Sequence, residues 1–338
     1  MVLADHYPLT TPILVAGAGG FIGGHLVCAL EAQGFSRIRA VDCKPIPQWF
    51  QRGRSAVMVE ADLRRREACF AATEGSTLIF NLAADMGGMG YIEQNKLSCM
   101  LSVLINTHML EAAAACGAER FFFASSACVY RAGLQAVAEA KPLREEDAYP
   151  AMPEDGYGWE KLFSERMCRH FGEETALTTR VARFHNVYGP HGSYAGGREK
   201  APAAICRKVA RAKLNRVHEI EIWGDGEQTR SFLYIDDAVE GLQALMASEV
   251  ATPTNLGSDR LISINGLVDV VEEIAGIRCR RSYVPTAPLG VRGRNSDNTF
   301  VTQALGWSPS VTLEHGLERT YRWINDQVSR EFEATDPQ

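Results

Sequence analysis

The sequence has no CxxC pair, no internal repeat and no low-complexity segment. Its nine cysteines, at 28, 43, 69, 99, 116, 128, 168, 206 and 279, are scattered and odd in number. No Cys/His spacing suits zinc, so no metal is expected. The cysteines read as reduced thiols of a cytoplasmic protein, mostly small core residues, with one exception taken up below. Basic residues are in deficit: 35 Lys+Arg against 41 Asp+Glu give a formal net charge of -6. A nucleic-acid partner, which calls for a basic footprint, is therefore not expected. No apolar run approaches the ~20 residues that span a bilayer. The opening MVLADHYPLTTP has no basic stretch followed by an apolar one. Neither a membrane span nor a leader is expected.

What is present is the composition of a large folded chain. Its 338 residues are 46% hydrophobic and 22% charged, enough for one α/β domain or two smaller lobes. In the first half, strands are expected at 13–16, 37–42, 57–61, 78–82, 120–124 and 178–184, and helices at 21–33, 98–116 and 155–171. Continuous apolar strands separated by helices predict an α/β fold with a Rossmann-type, doubly wound parallel sheet. Beyond 186 the pattern loosens. Helices are expected at 203–213, 236–247, 264–275, 297–305 and 313–328, with short strands near 219–223 and 280–284. The expected organisation is a nucleotide-binding domain over 1–185 and a smaller α/β substrate lobe over 186–338, with segments of the second able to return to the first. Ligands of such a sheet bind beyond the carboxyl ends of its strands.

Gly17, Gly20 and Gly23 lie between the first strand and the first helix in GxxGxxG spacing. Glycine lets the backbone approach a pyrophosphate, and the helix start at Phe21 and Ile22 supplies amide donors. Asp42, at the end of the second strand, suits the two ribose hydroxyls of NAD and would repel a 2′-phosphate, so NAD is favoured over NADP. Asp62, after the third strand, is the candidate adenine contact.

The glycine loop, Asn81-Leu82-Ala83-Ala84, Ser126 and Tyr157-Gly158-Trp159-Glu160-Lys161 together resemble the extended short-chain dehydrogenase/reductase family, over nearly the whole chain. That family modifies nucleotide sugars. Three longer strings narrow the likeness: 85–90 (DMGGMG), 196–202 (GGREKAP) and 290–298 (GVRGRNSDN). With Ser125-Ser126-Ala127-Cys128 and Gln228-Thr229-Arg230, they are similar to the branch that epimerises GDP-mannose. Gly156 and Trp159 beside the Tyr–Lys pair, and a short insertion within 209–219, are minor departures.

Tyr157 and Lys161, four apart, share a helix face. Lys161 is expected to lower the phenol from its usual pKa of ~10, so that Tyr157 takes a hydroxyl proton while hydride leaves the same carbon for NAD. Both residues also hold the cofactor by resemblance. Ser126, just past a strand end, bonds the same oxygen. In the family this step makes a ketone at C4″, which acidifies the C–H bonds at C3″ and C5″. Inversion then needs a base on one face and an acid on the other. The resemblance implies Cys128 and Lys200, without saying which acts at which carbon. On an extended segment Cys128 and Ser126 would point the same way, and cations nearby would suit a thiolate base. Burial near other cations would bring Lys200 down from ~10.4.

By the same resemblance Gly87, Gly88, Asn186, Glu199, Ala201, Lys208 and Gln228 contact the substrate, and Arg230 and Arg294 grip its diphosphate. His185 reads as structural and Trp223 as packing at a turn. The family's 4,6-dehydratases carry Asp-Glu where this chain has Ala127-Cys128, so dehydration lacks its proton donor. The implied reaction takes GDP-mannose to GDP-L-galactose, with GDP-gulose formed when C5″ alone inverts. A homodimer built through the helices at 98–116 and 155–171 is also implied. Two rivals remain: a 4-epimerase or dehydratase of another nucleotide sugar, and a non-catalytic NAD sensor on the same fold.

Overall fold

The computed structural model describes residues 3–335; Met1 and Val2 of the N-terminal stretch weighed above, and 336–338 at the end of the second lobe, lie outside them. The strands are β1 (Ile13–Ala16), β2 (Ile38–Asp42), β3 (Val57–Glu60), β4 (Leu78–Asn81), β5 (Arg120–Ser126), β6 (Thr178–Phe184), β7 (Val187–Tyr188), β8 (Glu219–Trp223), β9 (Thr229–Ser231), β10 (Leu233–Tyr234), β11 (Thr254–Leu256), β12 (Leu261–Ser263), β13 (Arg280–Val284) and β14 (Gly293–Arg294). The helices are α1 (Phe21–Ala32), α2 (Arg66–Thr73), α3 (Met89–Gln94), α4 (Lys96–Met100), α5 (Ser102–Ala115), α6 (Tyr157–Glu174), α7 (Ala201–Leu214), α8 (Ile235–Ala247), α9 (Ile264–Ala275), α10 (Thr299–Leu305) and α11 (Leu313–Thr335).

A seven-stranded sheet has the order β11-β6-β5-β4-β1-β2-β3, and its neighbouring strands all run parallel. β1 and β4 are buried at every position, which is why they read as unbroken apolar runs. Side chains alternate across β1. Ile13 and Val15 join Leu26 and Leu30 of α1 in one core. Leu14 and Ala16 join Cys69 of α2 and Leu110 of α5 in the other. The chain winds one way from β1 to β3 and the other way from β4 to β6, so the crevice beyond β1 and β4 is the topological switch point.

The helix expected at 98–116 is found as α4 and α5, separated by Leu101; the short α3 before them ends at Asn95. There the side-chain amide donates to the Tyr91 carbonyl at 2.9 Å and the backbone leaves helical geometry, a habit of Asn where its amide competes for the local backbone. The expectation that no apolar run is long enough to span a bilayer also needs correction. By length and composition Lys96–Ala115 is long and apolar enough, with mean hydropathy 1.3. In the fold α5 packs one face against α2 and α6.

Beyond β6 the chain builds a second lobe around the parallel pair β8–β13 and helices α7, α9 and α11. Ser263 caps α9 through the Gly266 amide at 3.0 Å, and left-handed Gly276 ends it. The lobe does not stay separate. β11 returns to pair with β6, Thr254 against Ala182, and α8 packs on α1. One apolar core runs from Leu26 through Leu242 to Val209, Val268 and Ile324. The two parts thereby share one core.

Candidate active site

A cavity of about 930 Å³ runs from the glycine loop to β8, lined by both parts of the chain. At its sheet end, the loop after β1 is folded so tightly that a Cβ on Gly23 would lie 2.2 Å from the Gly17 carbonyl oxygen. Gly17, Gly20, Phe21, Ile22 and Gly23 all line the cavity there. Asp42 accepts from the amides of Gly19 (3.0 Å) and Lys44 (2.8 Å). Asp62 is gripped by the Arg64 fork at 2.9 and 2.7 Å, which holds its carboxyl below the usual range. A tight glycine cradle with a carboxylate at the end of the next strand fits NAD.

Ser126 ends β5, and 127–129 form one 3-10 turn in which the Ser126 hydroxyl accepts from the Cys128 amide at 3.2 Å. Cys128 therefore does not lie on an extended segment, as expected; the cap bends the chain at once. Both side chains still face the cavity. The thiol packs with Ile92, Cys99 and Tyr157. A Cβ on Gly158 would lie 2.4 Å from the Cys128 carbonyl oxygen, so the start of α6 seats directly on this turn.

Tyr157 and Lys161 do share a face of α6, with the ammonium 5.5 Å from the phenol ring centroid. The expected lowering of the phenol is not found. Burial drives Tyr157 well above its usual value, the charges of Cys128 and Glu160 push the same way, and the Ser126 hydrogen bond pulls back. Burial is the main cause, and a neighbour the sequence pattern left unremarked adds to it. Glu160, 3% exposed, places its carboxylate 3.5 Å from the Lys161 ammonium and offsets its charge.

Lys200 is the N-cap of α7 and lines the same cavity. Burial pushes its amine down, and the charge of Cys128 pulls it back up. Burial pushes the Cys128 thiol up, helped by Glu154 and opposed by Arg294. A thiol and an amine, each disfavoured in its charged form, thus face one space.

The two arginines expected at the diphosphate make bonds to protein groups. Arg294 is buried and gives Nε to Gln135 Oε1 (2.6 Å), Nη2 to Glu154 and Nη1 to Cys128 Sγ (3.6 Å). Arg230 gives its fork to the carbonyls of Thr229 (2.7 Å), Val291 (2.6 Å) and Leu289 (3.1 Å). Both guanidinium groups still line the cavity.

The remaining candidates all line the cavity. A Cβ on Gly88 would lie 2.3 Å from the Glu199 carbonyl oxygen, so the 85–90 loop lies directly on the turn that carries Lys200; Gly87 precedes it. Arg198 ties the two together, bonding Asp85 at 2.7 Å and lying 3.9 Å over the Tyr91 ring. Glu199 accepts from Arg207 at 2.7 Å, and Ala201 opens α7. Asn186, in the left-handed region at φ 45°, donates to the Ser231 carbonyl at 2.9 Å. Lys208 donates to the Glu221 carbonyl at 2.6 Å. Gln228 donates to the Trp223 carbonyl at 2.9 Å, and its buried Oε1 has no partner among the described residues, which leaves an acceptor for a ligand. His185 lies behind the site on Asn255 (3.0 Å). Trp223 is more than turn packing: its ring is 40% exposed on the cavity wall.

Sequence reasoning missed Gln135, Glu154, Glu160 and Arg198. Glu160 and Arg198 sat inside the quoted strings, but nothing local marks Gln135 or Glu154, which meet at Arg294.

The model of the NAD dependent epimerase/dehydratase family matches residues 13–257. GDP-mannose 3,5-epimerase 1 of Oryza sativa subsp. japonica is 44% identical over 320 residues, covering 94% of this chain and 83% of that protein. The same figures hold for the GDP-mannose 3,5-epimerase of Arabidopsis thaliana. Among solved structures, UDP-glucose 4-epimerase of Thermotoga maritima with UDP-glucose superposes at a TM-score of 0.84 with 26% identity, covering 94% of this chain and all of that one.

Proposed function

The chain belongs to the NAD dependent epimerase/dehydratase family, and from that footing we propose that it is the enzyme that converts GDP-mannose to GDP-L-galactose, with GDP-gulose as the product of inversion at C5″ alone. One observation carries the proposal: Cys128, in the turn after β5, and Lys200, at the start of α7, line the same cavity as Tyr157 and Ser126. A 4-epimerase needs neither the thiol nor the amine, and a dehydratase needs an acid at 127–128 where this chain has Ala127-Cys128.

Gly17, Gly20, Phe21, Ile22 and Gly23 would hold the pyrophosphate of NAD, Asp42 its ribose, Asp62 its adenine, and Tyr157 and Lys161 its other ribose. When bound, NAD accepts hydride from C4″ of the sugar and later returns it. Tyr157, steadied by Ser126, would take the C4″ hydroxyl proton as its phenolate, which burial disfavours and the positive charge of bound NAD would favour. The C4″ carbonyl then loosens the hydrogens on C3″ and C5″. Cys128 and Lys200 remove a proton from one face and deliver one to the other. Tyr157 gives its proton back as the hydroxyl re-forms. Gly87, Gly88, Asn186, Glu199, Ala201, Lys208 and Gln228 position the nucleotide sugar. Arg230 and Arg294 complete that wall.

We also propose a homodimer and a cytoplasmic location. Leu97, Met100, Leu101, Leu104, Trp159 and Phe163 leave an apolar face exposed on α4, α5 and α6, which supports the dimer. The nine cysteines are free thiols, the state a reducing compartment maintains.

The test is incubation with GDP-mannose in D₂O, with products followed by mass and NMR. Deuterium at C3″ and C5″ with otherwise unchanged mass is expected. Loss of water, or turnover of UDP-glucose in place of GDP-mannose, would overturn the proposal.

A further inference from the structure

Arg294 arrives from β14 with its guanidinium held on two sides. Gln135 Oε1 takes Nε at 2.6 Å and a carboxylate oxygen of Glu154 takes Nη2, which leaves Nη1 facing Cys128 Sγ at 3.6 Å. Both holders are themselves anchored. The Gln135 amide donates to the carbonyls of Tyr130 (3.3 Å) and Arg131 (3.2 Å). The Glu154 backbone N–H donates to the Cys128 carbonyl at 3.1 Å, so Glu154 is fastened to the turn that presents the thiol. A guanidinium is a rigid plane, and fixing two of its nitrogens fixes where the third points.

We propose that Glu154 is a positioning residue for Cys128: together with Gln135 it holds Arg294 with Nη1 on the sulfur, so that this cation stabilises the thiolate. The inference rests on the acid–base role proposed for Cys128, but its test needs no turnover.

The carboxylate acts on the sulfur in two opposed ways. Its hold on Arg294 favours the thiolate, while its own negative charge opposes it. The other groups facing the sulfur are the Ser126 hydroxyl, the Lys200 amine, the Tyr157 phenol and the Arg230 guanidinium, with the Cys99 thiol packed in the same cluster. Glu154→Gln keeps an acceptor for Nη2 and removes the charge. Glu154→Ala removes both, and Arg294 is then free to turn toward water.

The experiment is alkylation of the NAD-loaded enzyme by iodoacetamide from about pH 6 to 10, without sugar. Modification of Cys128 is located by peptide mass, and exposed Cys43 serves as the internal reference. In Glu154→Gln the Cys128 midpoint is expected to move down, and in Glu154→Ala up, each by enough to change the thiolate fraction near neutrality about tenfold. In an Arg294→Met background both substitutions should move it down, because only the charge is left to lose. A merely structural role would not reverse sign. Midpoints that shift the same way in both single variants, or not at all, overturn the proposal. Should Glu154→Ala not fold, an unshifted or raised midpoint in Glu154→Gln does so alone. If the midpoints behave as expected but GDP-mannose takes up no deuterium, the positioning stands and the proposed reaction fails.

Discussion

Gly88→Ala tests the idea that the contact between two loops sets the geometry of the reaction. A Cβ at Gly88 would lie 2.3 Å from the carbonyl oxygen of Glu199, where ordinary contact begins at 3.4 Å. The obstacle is backbone, so the loops must part by about 1 Å. The Gly88 amide also donates to the Arg198 carbonyl at 2.9 Å, and that bond lengthens with the same movement. Lys200 follows Glu199 directly, so the displacement is passed to the amine. A shift of ~1 Å at a reacting group costs on the order of 10²-fold in rate. We expect kcat to fall about 100-fold, with NAD content unchanged and a stability loss inside the about 1–3 kcal/mol usual for overpacking. Product formation followed by ¹H NMR, with deuterium uptake in parallel, gives the rate. Gly133→Ala, where nothing lies within 4 Å of the added Cβ, should match the wild type. A Gly88→Ala enzyme turning over within about threefold of wild type would refute the reasoning.

Other substitutions probe the rest of the molecule. Asp42→Ala removes the carboxylate proposed to hold the ribose; charged hydrogen bonds of about 1.5–3 kcal/mol translate into roughly 10- to 150-fold weaker NAD binding. NAD titration and NAD retained after gel filtration read the effect, and full retention would exclude the role. Arg183→Met strips the buried Glu165 carboxylate of its fork at 2.9 and 2.7 Å. An uncompensated buried charge costs about 3–5 kcal/mol, to be measured by urea unfolding; a loss under about 1 kcal/mol counts against that pairing. His185 is held neutral by burial, down from 6.5 to about 3. Between those values the unfolded chain binds the extra proton, so this contribution is complete above about pH 6.5 and is lost on acidification toward 3, by up to about 1.4 kcal/mol per pH unit. His185→Gln should flatten the fall of urea midpoints with acid in that window, and an unchanged slope would disprove the assignment.

Much of the fold was legible because its sheet is buried on both faces. β1 is apolar throughout and β4 is apolar up to Asn81, and the glycine loop must sit where the first of them ends. Where a signal depended on one residue's local competition, it misled. The Ser126 cap turned the backbone at Cys128 when alternation implied extension. Short strands such as β9, β11 and β14 left no pattern because two or three residues are too few to show a period.

The sequence by itself determined the cofactor cradle, the Tyr157–Lys161 helix face and the identity of the groups able to move protons, since each depends on neighbours within a few positions of the chain. Only the tertiary structure decided their charge states and their company. Arg230 and Arg294, read as phosphate grips, are turned onto protein acceptors, and Lys161 meets Glu160 in a place from which water is excluded. Burial sets the cost of every charge there, and burial is a property of residues far apart in sequence that the fold brings together.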